Sequence, residues 1–127
     1  MGARTTWEIR GHSDDSSIYL YSHWGGDSKW VDTASALAES EPRWGDVSYA
    51  SRIFISQIIG NNWNSETGYG IVSDARGVSP FEEEYFSVVV DFSNNTIEVG
   101  SEIFSFHEFL ASDDKSEEIM ESIWSSV

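Results

Sequence analysis

The sequence predicts an α+β domain: a mostly antiparallel sheet of about five strands with helices packed on one face, in the order β-β-α-α-β-β-β-α-α. Three observations predict it. Polar and apolar residues alternate near the start, where a strand needs a period of two. Apolar residues then recur at helical spacing from Trp30 to Ile58. After them the chain returns to runs of strand formers, Val88-Val89-Val90 above all. A length of 127 residues suits one domain, and 18 aromatic residues are enough to fill its core.

Thr6-Trp7-Glu8-Ile9-Arg10 alternates, and Ser17-Ile18-Tyr19-Leu20-Tyr21 is β-branched and aromatic. The turn-rich stretch Gly11 to Ser16 joins them, so the pair reads as a hairpin. Trp24-Gly25-Gly26-Asp27 punctuates the chain. A first helix follows, with Trp30, Val31, Ala34, Leu37 and Ala38 as its apolar stripe and Asp27 or Ser28 as its cap; Pro42 lies just past its end. A second opens at Asp46, with Val47, Ala50, Phe54 and Ile58 on one stripe, Tyr49 and Ile53 beside it and Gly60 as its stop.

Asn61 to Gly68 is a polar loop, Tyr69 to Ser73 a third strand and Tyr85 to Phe92 a fourth. Asn94-Asn95 turns the chain into a fifth strand ending near Val99, which Gly100 and Ser101 extend or bulge. Ser105 and Glu108 have the spacing of a capping box, opening a short helix that points Phe106, Phe109 and Leu110 inward. A last helix from about Asp114 carries Ile119, Met120, Ile123 and Trp124 on one side and acidic residues on the other.

Composition narrows the chemistry. Without cysteine there is no disulfide scaffold, no Cys-ligated zinc or iron–sulfur cluster and no thiol nucleophile. No apolar run reaches the roughly 18 residues of a membrane span, and no secretory leader is visible, so the expectation is a soluble intracellular protein. The formal charge is −15, unevenly spread: residues 1–64 carry a net −3 and residues 65–127 a net −12. That field repels phosphate, which excludes direct nucleic-acid binding and docking on an anionic membrane. Three readings of the acid stand side by side. It is a solvated coat; or it is adaptation to concentrated salt, with 2 Lys, 5 Arg and 22 Ser; or its carboxylates mimic a phosphate backbone. In the mimicry reading the partner surface is Glu82, Glu83 and Glu84 together with Asp114, Glu117, Glu118 and Glu121.

No motif specifies catalysis. His12, His23 and His107 stand alone, with no metal-binding spacing, so neither metal nor cofactor is expected. Ser22 and His23 are neighbours on a strand and project to opposite faces, which rules them out as nucleophile and base. Three stretches instead combine glycine, aromatic and ionisable residues: Leu20 to Gly26, Arg43 to Asp46 with Tyr49 and Arg52, and Glu66 to Ile71. Converging at one rim, they form a ligand site in which Tyr21, Trp24 and Tyr69 are flat walls. Arg43 and Arg52 supply positive charge, His23 a titratable donor, and Gly25 and Gly26 backbone access. The competing reading makes Trp24, Trp44 and Tyr69 plain packing residues.

The order and spacing of Leu20-Tyr21-Ser22-His23-Trp24-Gly25-Gly26, Arg43-Trp44-Gly45-Asp46 and Glu66-Thr67-Gly68-Tyr69-Gly70-Ile71 resemble a family of small uncharacterised proteins of tailed phages, from about Ile18 to Phe92. The resemblance implies a viral origin and assigns no catalytic residue. The expected function is a non-enzymatic viral accessory protein in the cytoplasm of the infected host cell. It binds a host protein or other macromolecule, or sequesters a small anionic ligand through the aromatic–Arg site. Two alternatives stand beside it: a small enzyme acting on a nucleotide or other phosphate-bearing metabolite, and a structural protein of the virion.

Overall fold

A computed structural model describes residues 4–23, 29–78, 88–99 and 102–111. Strands β1 (Thr5–Arg10) and β2 (Ser16–Ser22) form the expected hairpin. Helix α1 (Lys29–Ser40), a 3-10 turn at Glu41–Arg43 and helix α2 (Val47–Ile59) follow. Then come β3 (Tyr69–Ala75), β4 (Val88–Asp91), β5 (Thr96–Val99), β6 (Glu102–Ser105) and helix α3 (Phe106–Ala111). The fold is α+β, but the sheet has six strands, in the order β3-β2-β1-β4-β5-β6. It is mixed, because β1 and β4 run parallel while every other neighbouring pair is antiparallel.

Both differences from the expected five-stranded antiparallel sheet have physical causes. β2, itself paired with β3, takes one edge of β1, so β4 docks on the other edge, where it runs in the same direction as β1. The sixth strand is the short Glu102-Ile103-Phe104-Ser105, whose pairing with β5 is local and whose pattern is too brief to stand out. The last expected helix and its carboxylates Asp114, Glu117, Glu118 and Glu121 lie outside the described residues, as do Glu82, Glu83 and Glu84.

Register places the core. Trp7 pairs with Leu20 and Val88, and Ile9 with Ile18 and Val90, so these apolar side chains share one face. Helix α2 meets that face with Ala50, Phe54 and Ile58, three of the four positions of its expected stripe, while Val47 is half-buried. Helix α1 is rolled relative to expectation. It buries Thr33, Ala36, Leu37 and Ser40, whereas Val31 is 68% exposed and Ala38 is exposed too. The reason is polar: Trp7 Nε1 donates to Thr33 Oγ1 at 2.8 Å, and Ser40 Oγ donates to the Leu37 carbonyl at 2.8 Å. Once satisfied, these small hydroxyls can be buried in preference to Val31, which hydropathy alone ranks higher.

The opposite face of the sheet also excludes water, and it does so with charge. Thr6, Glu8, Ser17 and Tyr19 are all buried there. The Glu8 carboxylate accepts from Ser17 Oγ at 2.7 Å, Arg10 Nε at 2.8 Å and the Gly77 N–H at 3.1 Å. Burial pushes its pKa up, but those bonds together outweigh burial and hold it below the ordinary carboxylate range. The Tyr19 hydroxyl donates to the Ala75 carbonyl and accepts from the Val78 N–H at 3.0 Å. Together Glu8 and Tyr19 fasten the turn that leaves β3.

At the β4–β5 hairpin, Asn95 takes a positive φ of 55°. The Asp91 carboxylate accepts from the backbone and side chains of Ser93 and Asn94, which holds the turn. The capping box forms as its spacing predicts: the Glu108 N–H donates to Ser105 Oγ at 3.1 Å, and the Ser105 N–H to Glu108 Oε1 at 2.9 Å.

Candidate functional site

Two of the three glycine-bearing stretches meet. Gly68 has a φ of 98°, a conformation that favours glycine, and it turns the chain into β3 so that the His23 N–H donates to its carbonyl at 2.8 Å. Tyr21 and His23 project from the same face of β2, and the Tyr21 hydroxyl lies 3.0 Å from His23 Nδ1. Opposite Tyr21 the register places Gly70, where a Cβ would meet nothing within 4 Å, so the flank of the Tyr21 position is open. Tyr69 pairs with Ser22 and therefore lies on the helix-bearing face, away from Tyr21. Ser22 is buried and His23 half-buried, on opposite faces as their adjacency requires.

The third stretch is elsewhere. Gly11, just past the end of β1, sits so close to Val47 at the start of α2 that a Cβ would fall 3.0 Å from its Cγ1. Ser51, one turn further along α2, lies 3.0 Å from His12 Nε2. Arg43, Asp46 and Arg52 therefore belong to the end of the sheet where β1 finishes, and Tyr21 and His23 to the end where it starts. A six-residue strand separates those ends by roughly 17 Å. The convergence of all three stretches at one rim, expected from sequence, does not occur.

Each remaining residue has a definite place. The Arg43 guanidinium lies 5.0 Å from the Tyr49 ring centroid, and both side chains are exposed. Arg52 is exposed on α2. Trp44 is a packing residue: it is buried, donates through Nε1 to the Leu37 carbonyl at 3.2 Å and packs its ring at a tilt, 4.8 Å from that of Phe106. Trp24, Gly25 and Gly26 lie outside the described residues.

Chemically, the Tyr21–His23 end offers a hydroxyl and an imidazole in mutual contact, a donor–acceptor pair suited to recognition. The stretch that leads into and forms β3 exposes large apolar groups. Trp63, in the segment that leads to β3, is 78% exposed, and Ile71 on β3 is 55% exposed. The sequence reading passed over Trp63, which sits in a polar loop, and carried Ile71 only as the end of the Glu66 to Ile71 stretch, with no role of its own. The His12–Ser51 contact was also missed, since 39 residues separate its partners and no local motif announces it.

Among the described residues no group of three or more His, Asp or Glu is placed to hold a metal ion, and no helix is long and apolar enough to cross a membrane. No family model matches the chain, and neither a curated protein nor a solved structure matches it.

Proposed function

We propose that the chain is a non-enzymatic accessory protein of a tailed phage that binds a host macromolecule in the cytoplasm of the infected cell. The observation that carries this reading is the exposure of Trp63, and of Ile71 and Val72 on the edge strand β3, on a chain whose formal charge is −15. Large apolar side chains left in water within the one stretch that leads into and forms an edge strand of a highly charged molecule mark a contact surface. The charge supports a protein as the partner and argues against nucleic acid. Sequestration of a small anionic ligand has weaker support, since Arg43 and Arg52 lie at the far end of the sheet from His23. The same separation weighs against an enzyme that pairs those arginines with His23 on a phosphate-bearing substrate. The low Lys count and 22 Ser support a host that lives in concentrated salt.

Affinity capture from host cells with wild type, Trp63→Ser, Ile71→Ser and Arg52→Ala tests the reading. A partner held by wild type and Arg52→Ala but released by Trp63→Ser or Ile71→Ser is the expected result. Equal retention by all four proteins would place the contact elsewhere. Turnover of a phosphate-bearing metabolite that is lost in His23→Ala would make the chain an enzyme instead.

A further inference from the structure

β3 is a strand of seven residues at the edge of the sheet formed by the described residues. The His23 N–H donates to the Gly68 carbonyl and the Arg76 N–H to the Asp15 carbonyl, which fixes the parity of the β2–β3 ladder. Gly70, Val72 and Asp74 therefore turn their N–H and C=O groups toward β2, and Tyr69, Ile71 and Ser73 turn theirs outward. Among the described residues no strand pairs with that outer side.

The strand also overhangs the helical layer: every residue from Ile71 to Ala75 is exposed, with Ile71 on one face and Val72 on the other. Protective devices common on free edges, such as lysine, proline or a bulge, do not occur between Tyr69 and Ala75. Three outward donors and three outward acceptors flanked by aliphatic side chains are a template for strand addition.

Charge selects what adds. Glu66 and Asp74 are exposed near the two ends of β3, and Asp14 and Asp15 are exposed in the β1–β2 turn beside its C-terminal end. Arg76, the cation of this stretch, already gives its guanidinium to the Ser13 carbonyl at 2.7 and 3.1 Å. A second copy would bring −15 against −15. We propose that β3 receives an extended segment of a partner protein, apolar at its centre and cationic at its ends, which joins the sheet as a seventh strand. This deepens the reading of the chain as a binder of a host macromolecule and rests on it.

The test uses the full chain and a blocked probe peptide, Lys-Thr-Val-Ile-Val-Thr-Lys, with two controls. One is the same peptide with Glu in place of Lys, and the other is N-methylated along one strand edge. Ser73→Pro deletes an outward N–H that the fold does not use, at an edge position where proline is tolerated. Ser73→Lys, which keeps the N–H and adds an opposing charge, serves as a second variant.

The cationic peptide is expected to shift and protect the Ile71 and Ser73 amides and to bind more weakly as salt rises. Affinity should fall at least tenfold for Ser73→Pro, Ser73→Lys and the N-methylated peptide, and the Glu peptide should not bind. Binding indifferent to Ser73→Pro and N-methylation would be mere adsorption and would overturn strand addition. So would absent shifts at Ile71 and Ser73. A dimer in sedimentation that Ser73→Pro converts to monomer would give the edge to a second copy and overturn the cationic partner. Loss of cellular capture by Trp63→Ser, with capture by Ser73→Pro intact, would overturn strand addition while leaving macromolecule binding in place.

Discussion

The two faces of the sheet are buried by different means. Under the helices the core is apolar and aromatic: Trp7, Ile9, Leu20, Phe54, Val90, Phe92 and Phe106 pack together, with Phe92 and Phe106 edge to face at 5.5 Å. On the other face the Glu8 carboxylate, itself held by the Arg10 guanidinium and the Ser17 hydroxyl, and the Tyr19 hydroxyl bond the exit of β3. The first face supplies non-directional stability, since it depends on area removed from water. The second supplies position, because each bond from Glu8 and Tyr19 names one atom of the turn at Gly77 and Val78. The division explains how β3 can overhang the helical layer and still hold its place.

Substitutions separate the two kinds of burial. Phe54→Ala, in the apolar layer, should lose about 3–5 kcal/mol in denaturant unfolding. A loss under 1 kcal/mol would show that α2 is loosely packed.

Glu8→Gln, on the polar face, should cost about 2–3 kcal/mol at neutral pH, because charge-assisted bonds are replaced and Arg10 loses its nearest partner. Its pH dependence is diagnostic. The folded pKa of Glu8 lies below the unfolded one, so its stabilisation is present above the unfolded value and disappears as pH falls through the folded one. Asp91 behaves likewise, since its bonds from Ser93 and Asn94 outweigh burial. Glu8→Gln should therefore flatten only part of the acid limb, as read from unfolding curves between neutral pH and strong acid.

Ser105→Ala, which removes one half of the capping box, should cost about 1 kcal/mol. Tyr21→Phe is expected to change stability by less than about 0.5 kcal/mol, since it removes a half-buried hydroxyl contact at one end of the sheet. A much larger loss would make the Tyr21–His23 pair a structural element.

The features legible in the sequence are the locally determined ones. Helix α2 with its stop at Gly60, the Ser105–Glu108 box and the Asn95 turn depend on neighbours within four residues, and each forms as its spacing implies. The parallel β1–β4 pair and the roll of α1 depend on partners far apart in the chain, Trp7 with Val88 and Trp7 with Thr33. Glu8 shows the limit most sharply. Alternation assigns it to a solvated face, yet a turn some 70 residues later buries it. The site divides along the same line. The likeness of the Leu20 and Glu66 stretches in glycine and aromatic content matches a true neighbourhood, whereas Arg43 and Arg52 share that composition and belong to the other end.

Amide hydrogen exchange along β3 in the free protein tests the central claim most directly. If the edge is bare and only its inner side is paired, Gly70, Val72 and Asp74 should exchange slowly and Tyr69, Ile71 and Ser73 fast, in strict alternation. Uniform protection across all six would mean that the outer edge is already occupied and would contradict the account.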